Sequence, residues 1–140
     1  MIASAALAAE VEPRLDGQTL LSDREHRAAE NAAGEPIASA IVGRQSDGRA
    51  GLHRPDFALI RRDGQHVVAV EVELTLKNRT RLDRILRGYL RNQNVSVVRY
   101  HAAPPIADAV RRAARAVGAE AILELAPLPS PRTSTIRSRS

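Results

Sequence analysis

The sequence predicts an α/β domain: a mixed sheet flanked by helices. Three observations lead there. Two strand-like runs, Asp56–Ile60 and Val67–Leu74, flank Arg62-Asp63-Gly64-Gln65, and Asp-Gly between such runs signals a two-residue type I′ hairpin turn. Leu82, Ile85, Leu86, Tyr89 and Leu90 then recur at i, i+3, i+4, i+7 and i+8, a helical core stripe. It lies between the hairpin and a further strand run, Val95–Tyr100, so residues 67–100 should form a right-handed parallel strand–helix–strand unit. Finally, the hairpin is apolar on both faces. Phe57, Leu59, Val68, Val70, Val72 and Leu74 line one; Ala58, Ile60, Val67 and Ala69 share the other with Asp56 and Glu71. A sheet of that kind is covered on both sides.

Taken in order, the elements are expected as α-β-β-β-α-β-α-β. Residues 1–17 read as a flexible N-terminal segment, Ala-rich up to Glu12 and broken by Pro13 and Asp16-Gly17. A helix is expected from about Gln18 to Ala33, with Ser22 or Asp23 as an internal start signal and Gly34 just past its end. Ile37–Val42 reads as a short strand, and the glycine-rich stretch 43–51 as a loop before the hairpin. Asn78 or Thr80 is placed to cap the next helix, which runs to about Arg91. Gly88 within it costs about 1 kcal/mol relative to Ala, which points to a close contact. Pro104-Pro105 introduces a helix over about Ile106–Val117, closed by Gly118, and Ala121–Leu125 is the last strand. The α/β domain thus spans 18–126. Residues 127–140, rich in Pro, Ser and Arg, read as a disordered basic tail.

A chain of 140 residues suits one such domain. The absence of cysteine excludes disulfides, thiolate metal sites and a cysteine nucleophile. No apolar run approaches the ~20 residues needed to span a bilayer, and the start lacks a basic n-region. A cytoplasmic protein without a membrane partner is the expectation. The net charge of +5 is unevenly distributed: residues 1–73 carry 8 Arg and 12 acids, whereas residues 74–140 carry 12 Arg, Lys77 and 4 acids. The basic half should attract a polyanion, DNA first; the plain alternative is a solvated arginine surface set by base composition.

The hairpin supplies the candidate site. The expected turn pairs Arg62 with Gln65 and, counting outward, Asp56 with Glu71. Glu73, two residues on, points the same way. Three carboxylates on one patch repel one another unless a cation sits among them, which suggests a divalent metal. Counting outward also places Arg54 opposite Glu73, and a cross-strand ion pair is the simpler use of both. Asp56 and Glu71 read alternatively as solvated strand-end residues. His26, His53, His66 and His101 show no metal-ligand spacing.

Three segments carry a resemblance: Leu21-Ser22-Asp23-Arg24-Glu25-His26-Arg27, His53-Arg54-Pro55-Asp56 and Val70-Glu71-Val72-Glu73-Leu74-Thr75-Leu76-Lys77. Their order and spacing resemble the replication-relaxation family of plasmid and conjugative-element proteins, within the PD-(D/E)XK nuclease-like superfamily. The resemblance spans roughly residues 20–125. It implies a restriction-endonuclease-like fold and a DNA-handling role in mobile-element replication or relaxation, with replication or conjugation proteins as partners. It implies metal-dependent phosphodiester cleavage or nicking, with Asp56 and Glu71 binding Mg²⁺ or Mn²⁺. Glu25 would orient the metal or its water, with Asp23 competing for that role, and Glu73 would complete the catalytic set. Lys77, Arg79, Arg81 and Arg84 would meet phosphates. Glu73 stands where the superfamily usually has Lys, which leaves a catalytically inactive DNA-binding or protein-interaction module as the alternative. Family members also carry a winged-helix segment before this core; here about 20 residues precede the first motif.

Overall fold

The structure is a computed structural model that describes residues 18–44, 46, 48, 50–61 and 66–128. The expected hairpin turn at Asp63-Gly64, the N-terminal segment and all but the start of the basic tail lie outside the described residues. The elements are β1 (Gln18–Ser22), α1 (Asp23–Ala33), β2 (Ala40–Arg44), β3 (Ala50–His53), β4 (Phe57–Arg61), β5 (Val67–Glu73), α2 (Arg79–Arg91), β6 (Val95–Ala102), α3 (Pro104–Val117), a 3₁₀ turn (Glu120–Ile122) and β7 (Leu123–Ala126). This is a mixed α/β fold. Five strands form a sheet in the order β1-β4-β5-β6-β7, and β2 and β3 pair separately. The order differs from the expected one by two extra strands, β1 and β3.

The hairpin register is the one counted from Asp-Gly: Phe57 pairs with Val70, Ala58 with Ala69, Leu59 with Val68 and Ile60 with Val67. β5 and β6 run parallel across the α2 crossover, and β6 and β7 are parallel as well. Both faces of the hairpin are buried, with Leu59 and Val70 at 2% and 1% exposure and Ala58 and Ala69 at 0%. One core joins Ala69, Val98 and Tyr100 of the sheet to Leu82, Ile85, Leu86 and Tyr89 of α2 and to Val110, Ala113 and Ala114 of α3. Phe57, Leu59, Val68 and Val70 make a second cluster on the other face.

Four expectations are corrected. Gln18–Ser22 is a strand, antiparallel to β4, because Ser22 and Glu25 form a capping box that starts α1 at Asp23; backbone upstream of an N-cap is extended. Ala50–His53 is a strand rather than loop, since its partner β2 offers a free edge that absorbs Gly51 opposite Gly43 with a register shift. Leu74 lies beyond β5 and is 57% exposed, and Leu90 is 39% exposed on the margin of the α2 stripe. The helix termini otherwise follow their signals. Asn78 caps α2, and Gly34 and Gly118 close α1 and α3 in the left-handed conformation.

Candidate functional site

The site forms where β4 begins and β5 ends. The β4–β5 ladder stops at Phe57–Val70, while β5 continues to Glu73. The Val72 N–H on this edge therefore lacks a β4 carbonyl. Asp56, fixed by the fully buried Pro55 before it, supplies the acceptor: its Oδ2 lies 2.7 Å from Val72 N. Strand pairing thus ends in a carboxylate lodged against main chain. The residue is exposed, but its carboxyl pKa is raised. Burial of the carboxyl is the main cause, opposed by the Val72 hydrogen bond, and the charges of Glu71 and Glu73 push it further up.

Glu71 and Glu73 are 5% and 7% exposed. Glu71 Oε2 accepts from the Tyr89 hydroxyl at 2.5 Å and lies 2.7 Å from His53 Nε2. The two rings meet edge to face, centroids 6.2 Å apart. Desolvation, then the Glu71 charge, raises the Tyr89 pKa, so the phenol stays a donor. Both oxygens of Glu73 face Lys77 Nζ, at 2.6 and 2.7 Å. The lysine reaches back across the strand end. It takes the place that the sequence assigned to Arg54, which instead bonds Glu30 at 3.2 Å. The cause is plain: the ladder begins only at Phe57, three residues after Arg54, so that residue is not carried opposite Glu73.

Glu30, which sequence reasoning did not single out, anchors the loop that carries Asp56. Its carboxylate accepts from Ile37 N at 2.7 Å, Ser39 Oγ at 2.9 Å and Arg54 Nε at 3.2 Å. His26 Nε2 stands 3.2 Å away and also accepts the Ala38 N–H at 3.0 Å. Burial pushes the Glu30 pKa up, but the neighbouring His26 ring and the hydrogen bonds from Ile37 and Ser39 together outweigh it and hold it at about 2. The available signal was the His26–Glu30 spacing of one helical turn on the face opposite Arg24 and Asn31; a polar pair on the inward side needs partners.

Glu25 is exposed, and its carboxylate accepts the Ser22 N–H at 2.9 Å. That bond and the Ser22 hydroxyl lower its pKa. Among the described residues it bonds none of Asp56, Glu71 or Glu73. Asp23, also exposed, faces Arg27 at 3.9 Å. The structure therefore brings Asp56, Glu71, Glu73 and Lys77 together and uses Glu25 in a helix cap. Among the described residues, no three His, Asp or Glu side chains form a group that could hold a metal ion by themselves. No described helix is long and apolar enough to cross a membrane.

Of the expected phosphate contacts, Arg79 is paired with Asp83 at 2.8 Å and Lys77 with Glu73. Arg81 is exposed. Arg84 Nε donates to Val42 O at 2.9 Å. It lines an open groove of about 580 Å³ between α2 and β2, with Arg44, Arg87 and Arg91. Compared with family models, curated proteins and solved structures, the chain gives no match in any of the three.

Proposed function

We propose that this chain is a DNA-handling protein of mobile-element replication or relaxation, related to the PD-(D/E)XK nucleases, whose acidic strand ends serve divalent-metal-dependent phosphodiester cleavage or nicking. One observation carries the reading. Asp56 sits beside Glu71 and Glu73, its carboxylate bonded to the N–H of Val72 between them at 2.7 Å; burial raises its pKa, and the two glutamate charges add to the rise. Carboxylates that repel one another in this way are stabilised when a cation joins them.

The donor set suits Mg²⁺ or Mn²⁺, hard cations that take carboxylate oxygens; Mg²⁺ commonly uses one or two carboxylates and keeps several waters. The bonds to Asp56 and Glu71 described above fall on Oδ2 and Oε2, so Oδ1 and Oε1 are the oxygens that would hold it. When bound, the metal would lower the pKa of a water and stabilise charge on a phosphate. The protein's own part is positioning. Tyr89 and His53 fix one oxygen of Glu71, Val72 fixes one of Asp56, and Glu30 braces the loop through Arg54. Lys77 brings an ammonium group to the strand end that Glu73 would otherwise leave without a cation.

The test is nicking of supercoiled plasmid in Mn²⁺, comparing wild type with Asp56→Asn and Glu71→Gln. Nicking by the wild type that both substitutions abolish supports the reading; nicking that survives both excludes it. A second reading, a DNA-binding or protein-interaction module without chemistry, is favoured by the closed Glu73–Lys77 pair. Metal-independent DNA binding without nicking would select it.

A further inference from the structure

The arginines best prepared for a polyanion lie beside β2; Arg84 is one of them, whereas Lys77, Arg79 and Arg81 are not. Arg44, Arg84, Arg87 and Arg91 line the groove between α2 and β2 together with Ile41, Val42, Gly43 and Thr80, and among the described residues no acid lines it. We propose that this groove receives the phosphate backbone of DNA. The inference rests on the DNA-handling reading and names the surface that reading would use.

Three of these side chains are pre-set. Arg84 Nε donates to Val42 O at 2.9 Å, Arg91 Nη1 to Ile41 O at 2.8 Å and Arg44 Nη1 to Gly48 O at 2.9 Å. A guanidinium carries five N–H donors in a rigid fork, so one bond to main chain orients the group and leaves the others for a ligand. Part of the ordering cost of binding is thereby met before the ligand arrives. The groove floor is equally fixed. Gly88 lets α2 lie against β2 so closely that a Cβ there would fall 2.9 Å from Ile41 O.

The charge balance points the same way. Lys77 and Arg79 are compensated by Glu73 and Asp83, whereas among the described residues Arg44, Arg84 and Arg91 bond main-chain carbonyls and Arg87 is exposed. Arg84, Arg87 and Arg91 are spaced i, i+3 and i+7. At 1.5 Å per residue they span about 10 Å of helix, close to the rise of three nucleotides along one DNA strand, about 3.4 Å each. Among the described residues no aromatic side chain lines the groove, so bases have no stacking platform there. Contact with the sugar-phosphate chain, tolerant of sequence, is what this surface offers.

The test measures anisotropy of a short fluorescent DNA duplex with the full chain in EDTA, over about 50–200 mM salt. Wild type is compared with Arg44→Gln/Arg87→Gln and with Arg111→Gln/Arg112→Gln on α3, which removes equal charge elsewhere. The groove pair should reduce the slope of log K against log salt by about 2, roughly 0.9 for each phosphate no longer neutralised, and the α3 pair should leave it unchanged. Arg87→Lys, which keeps the charge, should retain most of the slope. Equal reductions in the two pairs would overturn the groove assignment while leaving DNA binding intact. A wild type that binds polyglutamate but no DNA would sink the DNA-handling reading and the groove with it.

Discussion

Tyr89 and Glu71 are joined by a hydrogen bond of 2.5 Å between the phenolic hydroxyl of α2 and a carboxylate of β5. Tyr89 is wholly buried and Glu71 nearly so. The crossover helix therefore does more than cover the sheet: it fixes the orientation of an acid that strand geometry alone would leave free to rotate. Tyr89→Phe keeps the ring and removes one donor to a charged acceptor. A hydrogen bond of that kind contributes about 2 kcal/mol. Urea denaturation at neutral pH should show a loss of that size with native secondary structure retained. An unchanged midpoint would mean that the bond adds nothing to the fold.

Glu30 should give the fold a distinctive sensitivity to acid. Its folded pKa of about 2 lies below the ordinary value for glutamate. The stabilisation is thus fully present above about pH 4.5 and is lost as pH falls towards 2. A shift of that size corresponds to about 3 kcal/mol. Wild type and Glu30→Gln, unfolded in urea at several pH values across this window, should converge in stability as the pH drops. Parallel curves would show that the ionised carboxylate is not what holds α1 to the Arg54 loop.

Asp56 titrates in the opposite sense. Its raised pKa means that the folded state binds its proton more tightly than the unfolded chain does. Its contribution to stability is largest below the unfolded pKa and declines as pH rises through the folded value. Carbon-detected NMR should find this carboxyl titrating above ordinary aspartate, and Glu71→Gln should bring it down. Mg²⁺ should do the same and should also stabilise the fold. At about 100 times its dissociation constant a ligand specific to the folded state adds about 2.7 kcal/mol. A titration indifferent to Mg²⁺ would leave the carboxylates without a metal role.

The caps of α1 and α2 are separable from the site. Ser22 Oγ accepts from Glu25 N at 3.2 Å and Asn78 Oδ1 from Arg81 N at 2.8 Å. Ser22→Ala and Asn78→Ala should each cost about 1 kcal/mol, read as a lowered thermal midpoint. Thr19→Ala, on an exposed position of the edge strand β1, tests the same region without touching a cap and should shift the midpoint far less.

Much of the fold was legible because its signals are local. Asp63-Gly64 between two apolar runs gave the β4–β5 register, and Asn78, Gly34 and Gly118 marked helix ends. β1 and β3 were not legible for equally local reasons. Gln18-Thr19-Leu20-Leu21 has no two-residue alternation, and Ala50-Gly51-Leu52-His53 carries a glycine that reads as loop. Within the site, register alone brought Asp56, Glu71 and Glu73 together. The partners that orient them come from elsewhere in the chain. A core stripe says that Tyr89 is buried but not where its hydroxyl goes, and nothing in the spacing of Glu30 and Arg54 announces that they meet across 24 residues.

The tight crossing at Gly88 has a consequence for recognising kin of this chain. Since a methyl group at position 88 would fall 2.9 Å from the Ile41 carbonyl oxygen, even alanine there would push the helix away from the small two-stranded sheet. A glycine one residue before the buried tyrosine, in a helix otherwise rich in arginine, is therefore a fingerprint to seek in other genomes. A homologue with a larger residue there must have shifted that sheet, and its arginines would then stand at a different spacing.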